Sequence, residues 1–212
     1  MIEETMQNAS DDRVQHNIAQ AAEFDSLAEI FETTPTDEVL DSRLDAIVAA
    51  GRVPAGARVL DVGSGAGVLA NRITKIVPDV ELWACDLSTA MAEAARRKVS
   101  YAEYLMVDII DFPLDRGPFD AIFCNGMFGN VWDQEAALGR CAELLSAAGR
   151  VVISHPLGRQ FVEGLHAAQP EITRHTLPDD RGLATLAERT GLAVESVRDE
   201  TDLYIAVLRR AN

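Results

Sequence analysis

The chain has 212 residues, of which 48% are hydrophobic and 25% charged, as expected of a single folded globular domain. Its formal net charge of −15 means that most of its surface repels phosphate backbones and anionic lipids, so we expect no nucleic-acid or membrane partner. No apolar run approaches the roughly 20 residues that span a bilayer, and the acidic N-terminus lacks the pattern of a targeting signal, so we expect a cytoplasmic protein.

Two helical segments are predicted before the first strand, in residues 12–32 and 36–51, with Pro35 between them. We therefore divide the chain into residues 1–35, an N-terminal extension with a lid helix, and residues 36–212, the main domain. Disorder is expected before about Arg13, because the start of the chain is acidic and polar. The residues Phe24, Leu27, Ile30 and Phe31 recur at helical spacing, which favours packing onto the sheet.

From Val59 onward, apolar runs rich in β-forming residues alternate with segments of helical period, which predicts a parallel sheet covered by helices on both faces. The last two runs, residues 192–200 and 202–210, are so close that they must pair antiparallel. The fold class is therefore α/β, a Rossmann-like, doubly wound, seven-stranded sheet that is mostly parallel and ends in an antiparallel hairpin. The predicted strands are residues 58–62, 80–86, 103–108, 119–125, 150–155, 192–200 and 202–210, and residues 133–149 are predicted as a helix.

The first strand runs into a glycine-rich loop, VLDVGSGAG at residues 59–67. Such a loop is either a cradle for a ligand or a tight turn between a strand and a helix. A dinucleotide fingerprint is disfavoured because Val68 replaces its third glycine and Asp61 would repel a pyrophosphate. A phosphate-binding P-loop is excluded because no lysine follows the glycines. Asp61 instead suits a ligand that carries an amino group.

Two further acids follow the next two predicted strands. Asp86 ends the second strand, where a carboxylate can accept both hydroxyls of a ribose. Asp108 ends the third strand and, with Ile109, offers a hydrogen bond and an apolar contact to an adenine. Each acid alone is more often a helix cap or a solvated loop residue. Together, however, the three acids fall at the edge of the sheet where folds of this class bind ligands.

An amino acid, a ribose and an adenine in this order describe S-adenosylmethionine, and at this point the sequence resembles the class I S-adenosylmethionine-dependent methyltransferases over about residues 36–210. VLDVGSGAG resembles the first motif of that family, ACDLS its ribose-binding motif, MVDI its adenine contact and FDAIFCNGMF its fourth strand. The resemblance implies that residues 36–212 form a domain that binds this cofactor. It implies these cofactor contacts: Asp61, Gly63, Ser64, Gly65, Gly67, Asp86, Leu87, Met91, Asp108, Ile109 and Asn125.

The resemblance implies a methyl transfer to a small-molecule acceptor. Residues 21–32, AAEFDSLAEIFE, resemble a stretch that precedes methyltransferases of the ubiquinone-biosynthesis type and caps their cofactor. The sequence CNGMF replaces the Asn/Asp-Pro-Pro-aromatic motif of enzymes that methylate bases or glutamine. Two alternatives are a regulatory protein that binds S-adenosylmethionine without turnover and an enzyme that methylates protein side chains. The acceptor, the methylated atom and the oligomeric state are left open.

The segment after the fifth predicted strand holds three of the four histidines. His155 ends that strand and is the candidate catalytic residue, as a base, a metal ligand or a hydrogen-bond donor, unless it only caps the next helix. Phe24, Arg159 and His166 are the candidate substrate contacts, with Arg159 able to pair with a substrate carboxylate. The separations of His155, His166 and His175 match no standard ligand spacing, so no metal is expected. The three cysteines are expected to be reduced and mostly buried.

Overall fold

The computed structural model describes the backbone of residues 2–211 and the side chains of residues 11–211. Within this part of the chain, one sheet has the strand order β3-β2-β1-β4-β5-β7-β6. Its strands are β1 Arg58–Val62, β2 Glu81–Asp86, β3 Glu103–Met106, β4 Phe119–Asn125, β5 Leu145–His155, β6 Leu192–Glu200 and β7 Leu203–Arg210. The helices are α1 Ile2–Thr33, α2 Glu38–Ala50, α3 Val68–Ile76, α4 Thr89–Lys98, α5 Gln134–Leu144, α6 Gly158–Ala168 and α7 Asp180–Arg189, with short 3-10 turns at Ile109–Asp111 and Leu114–Arg116.

The strand directions agree with the predicted topology. Strands β1 to β5 pair in parallel, whereas β7 lies between β5 and β6 and pairs antiparallel with both. Six strands therefore run one way and the last strand is reversed. This confirms the predicted seven-stranded, mostly parallel sheet with its antiparallel hairpin.

Helices bury both faces of the sheet, which explains why the central strands are apolar throughout. On β1, Leu60 and Val62 join a core cluster that includes α5 and α7, whereas Val59 joins a second cluster that includes α2 and α3. Successive side chains of a strand point to opposite faces, so one apolar strand supplies both layers. The sheet is thereby fixed on both sides, and the carboxyl ends of β1 to β5 meet along one edge, called here the carboxyl edge.

The boundary between α5 and β5 differs from the prediction. The predicted helix extended to residue 149, but α5 ends at Leu144 and β5 begins at Leu145. Leu145 is buried and pairs with Phe119, and the register then shifts before Ala121 pairs with Arg150. The alanine-rich residues 146–149 suit a helix locally, but the pairing of Leu145 with β4 overrides this preference.

The N-terminal helix α1 packs mainly along α4. Phe24 and Leu27 contact a small core cluster there, so they pack on α4 and the glycine loop and not on the sheet as predicted. The prediction was also wrong for Ile30 and Phe31, which are 60% and 46% exposed, because the end of α1 extends past the cluster. The disorder expected before about Arg13 falls mainly on residues 1–10, whose side chains lie outside the described part of the chain.

Among the described residues, no helix combines the length and the apolar character needed to cross a membrane. The cysteines Cys85, Cys124 and Cys141 are buried free thiols, as predicted.

Candidate functional site

The carboxyl edge gathers polar residues from the ends of five neighbouring strands. Asp61 is the penultimate residue of β1, and Asp86, Asn125 and His155 are the last residues of β2, β4 and β5. Asp108 follows β3 and caps the next short turn. The predicted site residues therefore do converge on one edge of the sheet, because they all terminate parallel strands that lie side by side.

The three glycines of the loop have different structural roles. All adopt positive φ angles, +60° at Gly63, +51° at Gly65 and +75° at Gly67, which L residues rarely adopt. A Cβ at Gly63 would lie 2.7 Å from Cβ of Met127, and one at Gly67 would lie 2.9 Å from Cα of Ala95. A Cβ at Gly65 would meet no atom within 4 Å. Gly63 and Gly67 are thus required by protein packing, and only Gly65 borders open space.

Beside this loop lie two buried polar groups without partners. Oδ2 of Asp61 and Oγ of Ser64 make no hydrogen bond with any described residue, although their side chains are buried. Burial, and next the charge of Asp86, raise the pKa of Asp61 to about 8. A buried polar atom left unpaired costs about 1–3 kcal/mol. This pair therefore fits a ligand that supplies hydrogen-bond donors and positive charge.

Asp86 holds two loops of the carboxyl edge together. Its Oδ2 accepts a hydrogen bond of 2.8 Å from the backbone N–H of Gly65, and its Oδ1 accepts one of 2.9 Å from Ser88. Burial raises the pKa of Asp86, while the N–H groups of Ser88, Gly65 and Leu87 act in the opposite direction. The predicted ribose acid thus has a second role, since it also fixes the backbone next to Gly65.

Asp108 is shared between its own loop and helix α1. Its Oδ1 accepts a hydrogen bond from the N–H of Ile110 at 3.1 Å, and its Oδ2 accepts one from Nδ2 of Asn17 at 2.9 Å. The neighbouring Ile109 is buried in the core cluster that contains α5. Asn17 was not predicted as a site residue, because its partner is 91 positions away and no local pattern links the two.

A second contact joins α1 to the carboxyl edge at the start of α4. Oδ1 of Asp25 accepts hydrogen bonds from Oγ of Ser88 at 2.6 Å and from the N–H of Ala90 at 3.0 Å. Asp25 thereby satisfies a free N–H group in the first turn of α4, next to the loop that Asp86 holds. Helix α1 is consequently fixed against both acids that were predicted to bind the nucleoside.

The N-terminal half of α1 also reaches the loops after β4 and α6. The side-chain amide of Gln20 donates a hydrogen bond of 2.8 Å to the carbonyl of Asn130 and another to the carbonyl of Ile172. A ring nitrogen of His16 lies 2.9 Å from the same carbonyl of Asn130. Both side chains are buried. Helix α1 therefore covers the carboxyl edge from the end of β3 to the segment after β5.

Two predicted contacts, Met91 and Phe24, do not lie where they were expected: Met91 is more deeply buried, and Phe24 lies in a different part of the site. Met91 is 1% exposed and packs in the cluster of Ala28, Ala66 and Ala94, so it supports the glycine loop from beneath. Phe24 packs against the same cluster, which includes Ala66 of the glycine loop. The position of Phe24 therefore favours the cofactor side of the site rather than the acceptor side.

Asn125 links the two central strands at this edge. Its Oδ1 accepts a hydrogen bond of 2.9 Å from Oγ of Ser154, and the next residue, Gly126, donates its N–H to the carbonyl of Ser154. The side-chain amide of Asn125 still has its nitrogen for a further partner.

His155 is buried, and its environment determines its protonation. Burial lowers the pKa of the imidazole to about 4, so the ring is neutral near pH 7. The N–H of Leu157 donates a hydrogen bond of 3.1 Å to Nδ1, so the single proton of the neutral ring is on Nε2. The ring also packs against Phe161, with centroids 5.3 Å apart. His155 thus caps the turn after β5 and is a hydrogen-bond donor at Nε2, which disfavours the roles of base and metal ligand.

The other candidates after β5 do not join His155. Arg159 is committed to ion pairs with Asp199 at 2.8 Å and Glu163 at 2.7 Å, so it is not free for a substrate carboxylate. Nδ1 of His166 lies 2.8 Å from the carbonyl of Thr173. His175 contacts the carbonyl of Trp132, and burial lowers the pKa of its imidazole. Among the described residues, no group of three or more potential ligands could hold a metal ion.

Comparison with known proteins finds similarity to methyltransferases. Residues 59–149 match the sequence family described as "Methyltransferase domain". The chain is 33% identical over 112 residues to the ubiquinone biosynthesis O-methyltransferase of Xanthomonas axonopodis pv. citri, covering 50% of this chain and 46% of that protein. It is 33% identical over 100 residues to the demethylmenaquinone methyltransferase of Thermus thermophilus, covering 45% and 46%. The chain thus spans about half the length of these curated relatives.

The fold is also found in solved methyltransferases. The O-methyltransferase NcsB1 from neocarzinostatin biosynthesis, in complex with S-adenosylmethionine and a hydroxylated naphthoic acid, superposes with a TM-score of 0.68 at 21% identity. The superposition covers 88% of this chain and 58% of NcsB1. The family match over residues 59–149, the partly matching relatives and this fold bear out the predicted resemblance to the class I S-adenosylmethionine-dependent methyltransferases.

Proposed function

We propose that this protein binds S-adenosylmethionine at the carboxyl edge of its sheet and transfers the methyl group to a small-molecule acceptor. The observation that carries the proposal is the pair of unpartnered polar atoms, Oδ2 of Asp61 and Oγ of Ser64, buried beside the open space at Gly65. The methionine part of the cofactor offers an ammonium group, which is the kind of partner that a buried carboxylate requires.

The remaining acids complete the cofactor site in chain order. Asp86 accepts hydrogen bonds from the ribose hydroxyls, and Asp108 with the backbone at Ile109 contacts the adenine. These assignments rest on the end of β2, which lies next to β1, and on the end of β3, which lies next to β2. Asn17 occupies one oxygen of Asp108. The adenine and helix α1 therefore compete for that oxygen or share its two lone pairs.

The bound cofactor supplies an electrophilic methyl group that is already activated, so the protein chiefly has to orient the acceptor and exclude water. His155 can orient an acceptor oxygen through its Nε2–H. It does not act as the base near neutral pH, because its folded-state pKa of about 4 makes the neutral ring a weak proton acceptor. An acceptor that ionises readily, such as a phenol or a quinol, needs the least help from such a site.

Because helix α1 covers the carboxyl edge, a small acceptor fits this site better than a protein side chain does. Gln20 connects α1 to the loops at Asn130 and Ile172, so a folded protein substrate would have to displace the helix. Two relatives are named for ubiquinone biosynthesis and for demethylmenaquinone, and NcsB1 was solved with a hydroxylated naphthoic acid. We therefore favour an aromatic hydroxyl compound as the acceptor.

The experiment is a transfer assay with S-adenosylmethionine labelled in its methyl group. Catechols, hydroxynaphthoic acids and a fraction of small metabolites are each incubated with the protein, and a protein fraction is tested in parallel. Label in a small aromatic product supports the proposal. Label in protein alone would favour a protein methyltransferase, and tight cofactor binding without any transfer would favour the regulatory role.

A further inference from the structure

Lysines are rare in this chain, and both of them line one cavity. Of the 19 lysines and arginines, only Lys75 and Lys98 are lysines. They lie on different helices, in the last turn of α3 and the last turn of α4. Both nevertheless line the same cavity of about 210 Å³, which Val68 and Asn71 from the first turn of α3 also line. Both lysines of the protein thus lie at the same cavity.

The acidic residues that line this cavity already have cationic partners. Glu32 forms two hydrogen bonds with Arg97, at 2.6 and 2.7 Å. Asp41 lies 3.4 Å from Arg72, which is also paired with Asp45. The carboxylates near the cavity are therefore largely neutralised by arginines.

The two ammonium groups, in contrast, have no such partners. Neither Lys75 nor Lys98 forms an ion pair or a side-chain hydrogen bond with any described residue. Lys98 is partly buried, and burial lowers the pKa of its ammonium group, while the nearby charge of Glu32 acts in the opposite direction. Each lysine also offsets the dipole of its own helix, but that effect does not require a shared cavity.

Polar uncharged groups complete the lining. The linker between α1 and α2 contributes Thr34 and Thr36, and α3 contributes Asn71. The hydroxyl of Thr33, at the end of α1, already donates to the carbonyl of Glu29. Hydroxyl and amide groups beside two ammonium groups are donors that suit a small, multiply charged oxyanion. The volume of about 210 Å³ is ample for a phosphate group.

We propose that this cavity is a binding site for a phosphate-type oxyanion, held by Lys75 and Lys98 and closed by the threonines of the α1–α2 linker. The bound anion joins α3, α4 and the linker that follows the lid helix. The cavity is lined by none of the predicted cofactor contacts, although Val68 in its lining directly follows Gly67. It therefore does not depend on the proposed methyl transfer.

The scarcity of lysines makes a direct test possible. Lysine acetylation by an amine-selective reagent is followed at Lys75 and Lys98 by mass spectrometry of the whole chain, in sodium phosphate and in sodium chloride of equal ionic strength. At a phosphate concentration ten times its Kd, we expect both lysines to react roughly tenfold more slowly, because about one tenth of the sites are free. Equal rates in the two salts overturn the proposal.

Variants locate the site. Lys75→Gln and Lys98→Gln should each weaken phosphate binding at least tenfold in calorimetry, with unchanged circular dichroism. Arg181→Gln is the matched control, because this exposed cation lines a different cavity beside α7. Phosphate binding that survives in both lysine variants, or that is lost in Arg181→Gln, contradicts the assignment.

Discussion

Nδ2 of Asn17 on helix α1 donates a hydrogen bond of 2.9 Å to Oδ2 of Asp108, which follows strand β3. This contact joins the N-terminal helix directly to the acid that we assign to the adenine. The helix therefore acts on the site itself and does more than cover the sheet. We therefore expect that how firmly helix α1 packs on the domain and whether the cofactor site is occupied depend on each other.

The first prediction is that Asn17→Ala loosens the N-terminal half of α1. Loss of a partly buried hydrogen bond to a charged acceptor costs about 1–2 kcal/mol, which corresponds to a roughly 5- to 30-fold rise in local opening. Hydrogen exchange of residues 13–20 measures this change. Ser26→Ala is the control, because it is exposed on the same helix and gains the same helix propensity. Equal exchange in both variants would show that the contact does not hold the helix.

The second prediction concerns Gly65, where a Cβ would enter open space beside the loop. Gly65→Ala should fold with a loss of about 1 kcal/mol in stability, because alanine is strained at a φ of +51°. Binding of S-adenosylhomocysteine should weaken at least tenfold in calorimetry, because the methyl group occupies the ligand's space. Gly56→Ala has the same kind of strain, with a φ of +73° and no atom within 4 Å, but lies away from the site. Its binding should match the wild type, and retained binding in Gly65→Ala would refute the cradle.

The third prediction uses the pKa of Asp61, which is about 8 in the folded protein and 3.8 in a model compound. Between these values the folded protein holds a proton that the unfolded chain has released, so this carboxyl's contribution to stability falls as the pH rises from about 4 to 8. Asp61→Asn should therefore flatten the pH dependence of unfolding and be relatively more stable at pH 8. Chemical denaturation at several pH values measures it, and parallel pH profiles would contradict the raised pKa.

The same carboxyl predicts proton release on binding. At pH 7 a group with a pKa of about 8 is mostly protonated, and pairing with a ligand ammonium group requires its ionised form. Binding of S-adenosylhomocysteine should release close to one proton at pH 7 and become tighter as the pH rises towards 8. Calorimetry in buffers of different ionisation enthalpy detects this proton. Its absence in the wild type, or its persistence in Asp61→Asn, would place the ammonium group elsewhere.

The sequence predicted where the strands of the site end, because each end has a local pattern. An apolar run is followed there by an acid or a glycine. Asp61, Asp86 and Asp108 could be placed on one edge from chain order alone, since parallel strands share their carboxyl edge. The contacts of Asn17, Asp25 and Gln20 could not be predicted in this way. They depend on how α1 lies across the sheet, which local periodicity does not encode.

Chemical state was harder to predict than position. His155 does end β5, but its tautomer depends on the N–H of Leu157, and its lowered pKa depends on burial under α6. Arg159 has the residue type for binding a carboxylate, but its charge is satisfied by Asp199 and Glu163. Residue type and spacing thus indicate which interactions a side chain can make. The partners that the fold places beside it determine which of them it makes.

The fourth prediction separates the two roles of Asp86. Asp86→Ala should weaken S-adenosylhomocysteine binding by about 1.5–3 kcal/mol, because it removes a charged acceptor from the ribose hydroxyls. It should also increase hydrogen exchange at Gly65 and Ser88, whose N–H groups it now holds. Glu81→Ala, at the other end of β2, is the control and should leave both quantities unchanged. Wild-type affinity in Asp86→Ala would mean that the ribose lies elsewhere.

The last prediction tests whether His155 orients the acceptor through Nε2–H. With an identified acceptor, His155→Ala should lower kcat by roughly 100-fold, because a misplaced acceptor loses its alignment with the methyl group, while cofactor affinity stays nearly the same. Because the folded-state pKa is about 4, below the ordinary 6.5, the wild type should show no loss of activity from this group between pH 6 and 8. Its contribution to stability is present above 6.5 and is lost as the pH falls towards 4. His155→Gln retains a side-chain N–H donor and should recover part of the lost turnover, which a mere packing role would not allow. Equal turnover in the wild type and His155→Ala would reduce the residue to a cap of the turn after β5.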